Sequence, residues 1–446
     1  MLTRLSLKNF KSWRETGDIN LSRVTGFFGT NSSGKTSLLQ SLLLLKQTKE
    51  GTDRRAPLRT GDDTSYVDLG VFSDMLFGHA NNQGLELDLS WQVGKSKYAF
   101  GFGEKPAFPI NLSFATHVKE IDGVPTTSNF LYKLGEKSIG MTRLENGKEG
   151  HYDIIASGYE KVRAVGRKWP VPNPIKCYGF PDEVRTYFQR MDFVQDYAYE
   201  LEQQLSRLYY LGPLREYPKR NYVWGGDIPE DVGRRGENSI AAILASRKWE
   251  DYIRRGKGTK AMSLEERIAT WLQELGMIHS FRLHQLSDDK KQYQVRVKRA
   301  ANSHEVLITD VGFGVSQILP VLTLCYYVPS ESTILLEQPE IHLHPAVQQG
   351  LADVLIDAAQ TRKIQIIVES HSEHFLRRLQ RRVAEKMIPQ KDVRLYFCQH
   401  AESESKIEAL DIDLLGNITN WPRGFFGDSA GDIIAMTEAQ IKAQRT

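Results

Sequence analysis

The sequence predicts an α/β fold in which the core carries an antiparallel β edge and a helical insertion. Residues 29–36 form a glycine-rich loop between an apolar, β-rich run and a long helix-forming run. Residues 333–340 form an apolar strand that ends in acidic side chains, and residues 85–102 alternate between apolar and polar side chains. A strand followed by a helix favours an α/β core, whereas alternation indicates strands with one buried face.

The glycine-rich loop is Gly29-Thr30-Asn31-Ser32-Ser33-Gly34-Lys35-Thr36, a full match to G-x-x-x-x-G-K-[ST], the phosphate-binding P-loop. In such a loop, backbone N–H groups and the N-terminus of the following helix point at phosphate oxygens. Lys35 is expected to reach the β- and γ-phosphates, and the Thr36 hydroxyl to ligate Mg²⁺. The flanking strand and helix argue against a chance match. We therefore expect a nucleoside triphosphate to contact Gly29, Asn31, Ser32, Ser33, Gly34, Lys35, Thr36 and Ser37.

The composition limits the class of protein. The 446 residues suffice for two or three structural units, and 58 basic against 55 acidic residues give a formal net charge of +3. That balance neither requires nor excludes nucleic acid, because a local basic patch can lie within it. The widely spaced Cys177, Cys325 and Cys398 indicate reduced core thiols in a cytoplasmic protein. The longest apolar run, residues 318–328, is about half the length of a membrane span, so no integral membrane association is expected.

Residues 1–170 are expected to form the N-terminal lobe of the core, which contains the P-loop. A hairpin is predicted within residues 85–102, with Tyr98 and Phe100 on its second strand. The other strands expected in this lobe, besides the P-loop strand, cover residues 2–10, 18–21, 111–119 and 130–134.

Residues 171–278 have a different character and are expected to form a helical, basic insertion. Helices are predicted at residues 182–208, 237–249 and 264–275, and a short strand begins at Tyr209. The basic side chains of the segment are Arg215, Lys219, Arg220, Arg234, Arg235, Arg247, Lys248, Arg254, Arg255, Lys257 and Lys260. Aromatic side chains, including Trp249 and Tyr252, lie among them, so residues 215–260 form either a DNA or RNA contact or a solvated surface. Arg215 has another interpretation, as a charge directed at the triphosphate.

Residues 279–446 are expected to form the C-terminal lobe and to complete the site. A glycine-bearing turn at residues 310–314 runs into a helix. The strand before Glu337-Gln338-Pro339-Glu340 has the form of a Walker B motif, and a carboxylate such as Glu337 at a strand's carboxyl end can hold Mg²⁺ beside Thr36. A further apolar strand precedes Glu369-Ser370-His371-Ser372.

In this order, the motifs resemble those of an ABC-type ATPase head of the SMC/RecF/OLD branch, a group of AAA-like ATPases of prokaryotic defence and repair systems. The opening Leu7-Lys8-Asn9-Phe10-Lys11-Ser12 and the P-loop resemble the N-terminus of that branch. Residues 311–317 stand where the branch has its signature motif, residues 335–345 resemble Walker B plus the D-loop, and Ser370-His371-Ser372 resembles the switch-histidine loop. Stand-alone ATPase subunits of anti-phage systems such as Septu or PARIS are similar.

The resemblance implies a homodimer in which two subunits enclose two ATP molecules, each P-loop facing the signature turn of the other subunit. In that turn Gly312, Gly314 and Ser316 would contact the nucleotide, with Gly312 where a serine normally stands. His371 would sense the γ-phosphate. Glu340, His342 and His344 also have the spacing of metal ligands, but the flanking prolines favour the D-loop turn.

One position departs from the family pattern and affects the expected rate of hydrolysis. The family usually has a glutamate after the Walker B acid, and this glutamate activates the attacking water, whereas the chain has Gln338. Gln338 can orient a water but cannot accept its proton, and Glu340 is the alternative base. The expected catalytic set is therefore Glu337, Gln338, Glu340 and His371. We expect a slow ATPase that uses ATP as a clamp.

Two functions are favoured at this point over a third, in which the chain is itself a nuclease, because the sequence shows no acidic metal cluster beyond the ATP site. The first is an ATP-switched sensor or scaffold that controls a partner effector, expected to be a nuclease, in anti-phage defence. The second is a RecF-like ATPase that binds DNA directly during repair or recombination. Salt-sensitive, ATP-dependent DNA binding would favour the second function.

Overall fold

The computed structural model describes residues 1–79, 83–94, 100–101, 109–144, 151–166, 169–248, 253, 261–287, 291–422, 434–437 and 439–440. Tyr98, to which the sequence assigns a strand, lies outside these residues. The same holds for part of the basic segment, namely Trp249, Tyr252, Arg254, Arg255, Lys257 and Lys260.

The described residues form eighteen strands and eight α-helices. The strands are β1 (Leu2–Phe10), β2 (Trp13–Glu15), β3 (Ile19–Asn20), β4 (Val24–Gly29), β5 (Leu85–Val93), β6 (Ile110–Ile121), β7 (Val124–Leu134), β8 (Lys137–Arg143), β9 (Tyr152–Ser157), β10 (Leu208–Leu211), β11 (Tyr222–Val223), β12 (Ser280–Ser287), β13 (Gln292–Lys298), β14 (Val306–Leu307), β15 (Thr333–Glu337), β16 (Gln365–Glu369), β17 (Val393–Ala401) and β18 (Glu404–Leu410). The helices are α1 (Lys35–Glu50), α2 (Glu183–Tyr187), α3 (Val194–Ser206), α4 (Ser239–Ser246), α5 (Leu264–Glu274), α6 (Gly314–Tyr327), α7 (Pro345–Thr361) and α8 (Glu373–Ala384).

A mostly parallel sheet lies at the centre of the fold, with strand order β10-β15-β16-β4-β17-β18. All neighbouring pairs are parallel except β17 and β18. The P-loop strand β4 therefore lies next to β16, and β16 separates it from the Walker B strand β15. Because parallel strands share a carboxyl edge, the segments that follow β4, β15 and β16 meet at one edge of the sheet.

The central sheet is buried on both faces, which explains its continuous apolar strands. Successive side chains point to opposite faces, so Phe27 and Leu335 lie in one hydrophobic core while Phe28 and Leu336 lie in the other. The first core fills the space towards the antiparallel sheet, α1 and α3. The second core contains side chains of α4 to α8. This two-sided packing fixes the carboxyl edge on which the site is built.

The predicted antiparallel edge is confirmed, but one predicted hairpin is wrong. The sheet has the order β2-β1-β5-β6-β7-β8-β9, with β3 paired to β1. β5 pairs with β1 and β6, and Phe100 lies in a turn instead of a strand. Phe100 is buried against Tyr197 with ring centroids 5.1 Å apart, so its apolar character reflects core packing and not strand alternation.

The helical insertion differs in two respects from the prediction. The single helix expected over residues 182–208 is two helices, α2 and α3, because Phe188 is extended and Arg190 has a φ of 56°. The segment also supplies β10, which pairs in parallel with β15 at the edge of the central sheet. Part of the segment therefore belongs to the core. A small antiparallel sheet, β11-β13-β12 with β14 paired to β13, combines β11, which precedes α4, with three strands that follow α5.

The cysteines and the helices bear on two expectations drawn from the composition. Cys177, Cys325 and Cys398 are all free and buried, in agreement with reduced core thiols. No described helix combines the length and apolar character required to cross a bilayer.

A buried ion pair joins α5 to α7, the helix after the Walker B turn, and a tyrosine of α6, the helix that follows the signature-like turn, binds the same carboxylate. The Arg267 side chain of α5 is 2% exposed, and its Nη2 donates to Asp357 Oδ2 of α7 at 2.5 Å. The Tyr326 hydroxyl of α6 donates to the same carboxylate oxygen at 2.5 Å. Removing one partner of a buried pair leaves the other charge buried without a partner. We expect Arg267→Ala to lower the free energy of unfolding by about 3–5 kcal/mol, measured by urea denaturation.

A matched control is the exposed pair between Arg377 and Glu373 on α8, with an N–O distance of 3.2 Å. An exposed i,i+4 pair contributes only about 0.3–0.5 kcal/mol, and the cation–π contact of Arg377 with Trp421, at 4.5 Å, about 0.5–1 kcal/mol, so Arg377→Ala is expected to have a much smaller effect. Equal losses in the two variants would show that the pair involving Arg267 does not anchor these helices.

Candidate nucleotide-binding site

The P-loop has the backbone that its glycines predict. β4 ends at Gly29 and α1 begins at Lys35, with φ values of 137° at Gly29 and 87° at Gly34. A Cβ atom at Gly29 would lie 1.9 Å from the Cys398 carbonyl oxygen, so no other residue fits there without displacement. The Trp13 indole donates to the Gly34 carbonyl at 3.1 Å and fixes the loop against β2.

The Lys35 side chain is folded onto its own loop. Its Nζ donates to the carbonyl oxygens of Gly29 at 3.2 Å and Thr30 at 2.6 Å, and to Ser33 Oγ at 3.3 Å. Burial lowers the pKa of this amine. The ammonium group is therefore held in the loop by neutral acceptors, and a phosphate would offer it a stronger, charged partner.

The structure places Glu369, not Glu337, beside Thr36. The Thr36 hydroxyl donates to Glu369 Oε1 at 3.0 Å. Glu369 ends β16, the strand next to the P-loop strand, and its Oε2 is buried without a hydrogen-bond partner among the described residues. Burial also raises the pKa of Glu369. The sequence contained a signal for this role, since Glu369 directly follows an apolar strand, but the order of the strands was required to interpret it.

Glu337 lies one strand further from the P-loop and is bound by a tyrosine that sequence reasoning missed. The Tyr210 hydroxyl of β10 donates to Glu337 Oε1 at 3.1 Å. Burial and the nearby Glu369 raise the pKa of Glu337 to about 8. Two carboxylates on neighbouring parallel strands therefore face one site, and a cation bound there would stabilise their charged forms.

Glu337 gives a testable pH dependence of stability. Its pKa in the folded chain, about 8, lies above the ordinary 4.5, so the folded state binds the proton more tightly than the unfolded state. The free energy of unfolding without nucleotide or metal is then greatest at acid pH and falls towards pH 8, by at most about 1.4 kcal/mol per pH unit. We expect Glu337→Gln to flatten this decline, measured by urea denaturation from about pH 5 to 8.

The exposed Glu373 at the start of α8 provides the control, because its carboxylate, unlike that of Glu337, is solvent-accessible and paired with Arg377. We expect Glu373→Gln to keep the wild-type pH slope. If Glu337→Gln also kept it, Glu337 would not be a proton-binding group of the folded chain.

The turn after β15 carries the two residues proposed for water activation. Gln338 has a φ of 42°, and its backbone N–H donates to the Glu369 carbonyl at 2.9 Å. Glu340 Oε1 accepts a hydrogen bond from the His371 backbone N–H at 2.6 Å, and burial raises the pKa of Glu340. The pKa of the His371 imidazole is lowered by burial and by the nearby Lys35 ammonium.

One cleft at the carboxyl edge brings together most of the predicted nucleotide-binding residues. Its lining consists of Asn31, Ser32, Ser33, Gly34, Lys35, Thr36, Gln338, Glu369 and His371. Gly29 is the first residue of the loop, and Ser37 directly follows the loop in sequence. Glu340 is buried behind the cleft and reaches it through the His371 amide.

The signature-like turn lies apart from this cleft. α6 begins at Gly314, next to Gly312, and Ser316 Oγ donates to the Phe313 carbonyl at 2.7 Å. Ser316 lines a separate recess together with Tyr217. Within one chain, the structure therefore does not bring Gly312, Gly314 and Ser316 to the P-loop.

The residues after the Walker B strand form a turn that leads into α7. The His342 ring packs against Phe313 with centroids 5.5 Å apart, and His344 Nδ1 accepts from the Ala346 N–H at 3.3 Å and caps α7. Among the described residues, no group of three or more His, Cys, Asp or Glu side chains is arranged to hold a metal ion.

The oxygen donors of the cleft fit Mg²⁺ held jointly with a nucleotide. Thr36 offers a hydroxyl, and Oε2 of Glu369 is a buried acceptor that has no hydrogen-bond partner in the described part of the chain. Mg²⁺ prefers oxygen ligands and is typically held by one or two carboxylates plus phosphates and water. Thr36, Glu369 and Glu337 are the residues that would hold it.

Comparisons with known proteins agree with a nucleotide-binding core. A family model described as an AAA ATPase domain matches residues 1–93 and 240–376, together more than half of the chain. A model for a protein of unknown function, DUF3696, matches residues 388–435. No curated protein matches the chain.

Three solved structures of SMC heads are distantly similar. An SMC head domain from Thermotoga maritima has 12% identity and a TM-score of 0.38, with 92% of this chain and 99% of that chain covered. An SMC head bound to the C-terminal winged-helix domain of ScpA has 12% identity and a TM-score of 0.49, with coverage of 92% and 98%. An SMC head with an extended coiled coil, bound to the C-terminal domain of ScpA from Pyrococcus furiosus, has 11% identity and a TM-score of 0.45, with coverage of 98% and 99%.

Proposed function

The chain belongs to the AAA ATPase domain family, and from this premise we propose that it is a cytoplasmic, slowly hydrolysing ATPase whose ATP-bound form dimerises and controls a partner effector. The observation that carries the proposal is the single cleft in which Lys35, Thr36, Glu369 and His371 meet at the carboxyl edge of the sheet. This edge is where open α/β sheets bind ligands.

Nucleotide binding requires local rearrangements in the cleft. The Lys35 ammonium exchanges the loop carbonyls and Ser33 Oγ for the β- and γ-phosphates, and the backbone N–H groups of the loop bind the phosphate oxygens. The Thr36 hydroxyl, which donates to Glu369 Oε1 in the free cleft, would be one of the groups that hold Mg²⁺. Mg²⁺, when bound, neutralises charge on the phosphates.

The carboxyl edge also explains why hydrolysis is expected to be slow. Gln338 can orient a water but has no basic oxygen. Glu340 can accept a proton, yet in this state it is buried and its Oε1 is occupied by the His371 N–H. Glu340 must be released or reoriented before it can act as the base. His371 borders the cleft close to Lys35, where it can hydrogen-bond to the γ-phosphate.

The experiment that tests this proposal measures two quantities on the same preparation. We expect MgATP to bind in equilibrium titration, and the bound ATP to remain intact over many minutes in a single-turnover assay. Absence of MgATP binding would contradict the proposal as a whole, whereas rapid turnover would contradict only the role of ATP as a clamp.

Dimerisation is proposed from an exposed aromatic surface next to the signature-like turn. Tyr217 is 72% exposed, and its ring packs against that of Phe313, which is 39% exposed, at 5.5 Å. Leu214 nearby in sequence is 70% exposed. Aromatic side chains are enriched in the centres of interfaces. A second copy seated here would bring Gly312 and Gly314 to the other P-loop, which supplies the part of the site that one chain lacks.

A charge placed in this surface is expected to prevent dimerisation. Phe313→Asp buries a carboxylate in the proposed interface, which costs several kcal/mol and should raise the dimer dissociation constant by more than about 100-fold. Sedimentation with MgATP measures the effect. Leu414→Asp is the control, because Leu414 is 74% exposed in the segment after β18. A Phe313→Asp protein that dimerises like the control would place the interface elsewhere.

The proposed effector role rests on the motif resemblance to ATPase subunits of anti-phage systems. In this role, the ATP-bound dimer would bind or release an effector, with a nuclease as the expected class. Co-purification with the product of a neighbouring gene, and its loss in a variant without ATP binding, would support the role. An ATPase that neither binds such a product nor alters phage growth would contradict it.

The alternative function, direct binding of DNA, has less support from the described basic side chains. Lys219, Arg220 and Arg247 form ion pairs with Glu216, Asp310 and Glu265. Arg234 donates to the backbone carbonyls of Ser65 and Asp63, and Lys248 lies over the Trp224 ring. Most of these cations therefore have protein partners, and each phosphate contact would have to displace one.

A further inference from the structure

Arg215 is a buried cation without a hydrogen-bond partner. Its side chain is 5% exposed, and none of its three guanidinium nitrogens has a partner within the described residues. Burying an unpaired charge is among the most costly arrangements in a folded protein. Burial accordingly lowers the pKa of the guanidinium, to about 10. A side chain with five donors in a fixed planar array is suited to an oxygen anion.

The position of Arg215 points to the carboxylates of the site. It follows β10, the edge strand parallel to β15, so its loop leaves the sheet at the carboxyl edge. The charged or polar groups that act on it electrostatically are Tyr210, Glu337 and Glu340. Tyr210 already donates to Glu337 Oε1 at 3.1 Å.

Within the part of the chain that is described, Glu340 has an unpaired acceptor atom that complements the unpaired donors of Arg215. Its Oε1 accepts from the His371 N–H, but its Oε2 is buried and has no hydrogen-bond partner among the described residues. The Arg215 guanidinium and Glu340 Oε2 are thus both buried without a hydrogen-bond partner in the described part of the chain, and the two side chains interact electrostatically. Pairing the two groups would remove the free-energy cost of leaving both of them buried and unpaired.

We propose that Arg215 is a positioning residue that pairs with Glu340 Oε2 when the nucleotide cleft is filled, and so holds Glu340 in line with the attacking water. The pairing gives Glu340 a charged partner on the side away from the cleft. The other oxygen, Oε1, then turns from the His371 amide towards the water. The inference rests on the proposed ATPase function and adds to it the residue that positions Glu340 to act as the general base.

The test compares single-turnover hydrolysis by wild type, Arg215→Met, Arg215→Lys and Glu340→Gln, with the MgATP dissociation constant measured for each. We expect Arg215→Met to lower the hydrolysis rate by up to about 100-fold while the dissociation constant changes by less than about threefold. Arg215→Lys retains the charge and should recover part of the rate.

The double variant, which combines Arg215→Met with Glu340→Gln, shows whether Arg215 acts through Glu340. If it does, Arg215→Met has no further effect on the rate in the Glu340→Gln background, because the shared interaction is already lost. A purely structural arginine would instead reduce both rates equally and lower the melting temperature. We expect Arg215→Met without nucleotide to melt at or above the wild-type temperature, because it removes an unpaired buried charge. Arg207→Met, at the exposed other end of β10, is the control.

The inference would be overturned by an unchanged rate in Arg215→Met, by equal losses in the two backgrounds, or by an effect confined to MgATP affinity. These outcomes leave the proposed function intact. A wild-type protein that does not bind MgATP would overturn the proposed function itself, so the two failures are distinguishable.

Discussion

Replacing Lys35 with alanine is expected to weaken MgATP binding by about 30- to 150-fold. The estimate follows from the loss of charge-assisted hydrogen bonds to phosphate, worth about 2–3 kcal/mol. Lys35 is placed for this role at the start of α1, and its three neutral acceptors in the loop can be exchanged for phosphate oxygens. Equilibrium titration with MgATP measures the loss.

The folded state of the Lys35→Ala protein must be checked separately. Burial already lowers the pKa of Lys35, so its removal takes away a partly desolvated charge, and the melting temperature without nucleotide should change little. Lys49→Ala, at the other end of α1, is a matched control for loss of a lysine from the same helix. If Lys35→Ala bound MgATP as tightly as that control, the P-loop would not be the nucleotide site.

Replacing Glu340 with glutamine is expected to reduce single-turnover hydrolysis by about 10²- to 10⁴-fold, the usual cost of losing a general base. Glutamine keeps an acceptor for the His371 N–H, which lies 2.6 Å from Glu340 Oε1, so the turn should be preserved. MgATP affinity is then expected to stay within a few-fold of wild type. Rapid quench of a radiolabelled single turnover measures the rate.

Gln338→Glu provides the complementary test. Gln338 lines the cleft, so a glutamate there would place a base where the family usually has one, and the rate should rise above wild type. A rise in Gln338→Glu together with the loss in Glu340→Gln would support slow hydrolysis through Glu340. Fast wild-type turnover that only the Glu340 variant abolishes would instead contradict the clamp.

Much of the nucleotide edge could be predicted from the sequence because its elements are local. The P-loop spacing determines the strand–loop–helix unit, and the apolar runs before Glu337 and Glu369 are long enough to be read as buried strands. The signature-like turn before α6 is likewise a local pattern of glycines before a helix. In each case, neighbours in sequence are also neighbours in space.

The partners of these side chains could not be predicted, because they depend on the order of strands in the sheet. Glu369 is the partner of Thr36 since β16 lies between β4 and β15, and no local pattern encodes that order. Tyr210 and Arg215 were placed in an insertion, whereas β10 joins the sheet through a pairing more than 120 residues away in sequence, as the contact between Tyr210 and Glu337 shows.

The central claim is that ATP holds two copies of this chain together, and the mass of the assembly tests it most directly. Sedimentation of the Glu340→Gln protein, in which ATP should persist, can be compared in MgATP and in MgADP. We predict a species of twice the 50.8 kDa chain mass in MgATP and a single chain in MgADP. The same mass with both nucleotides would contradict the account.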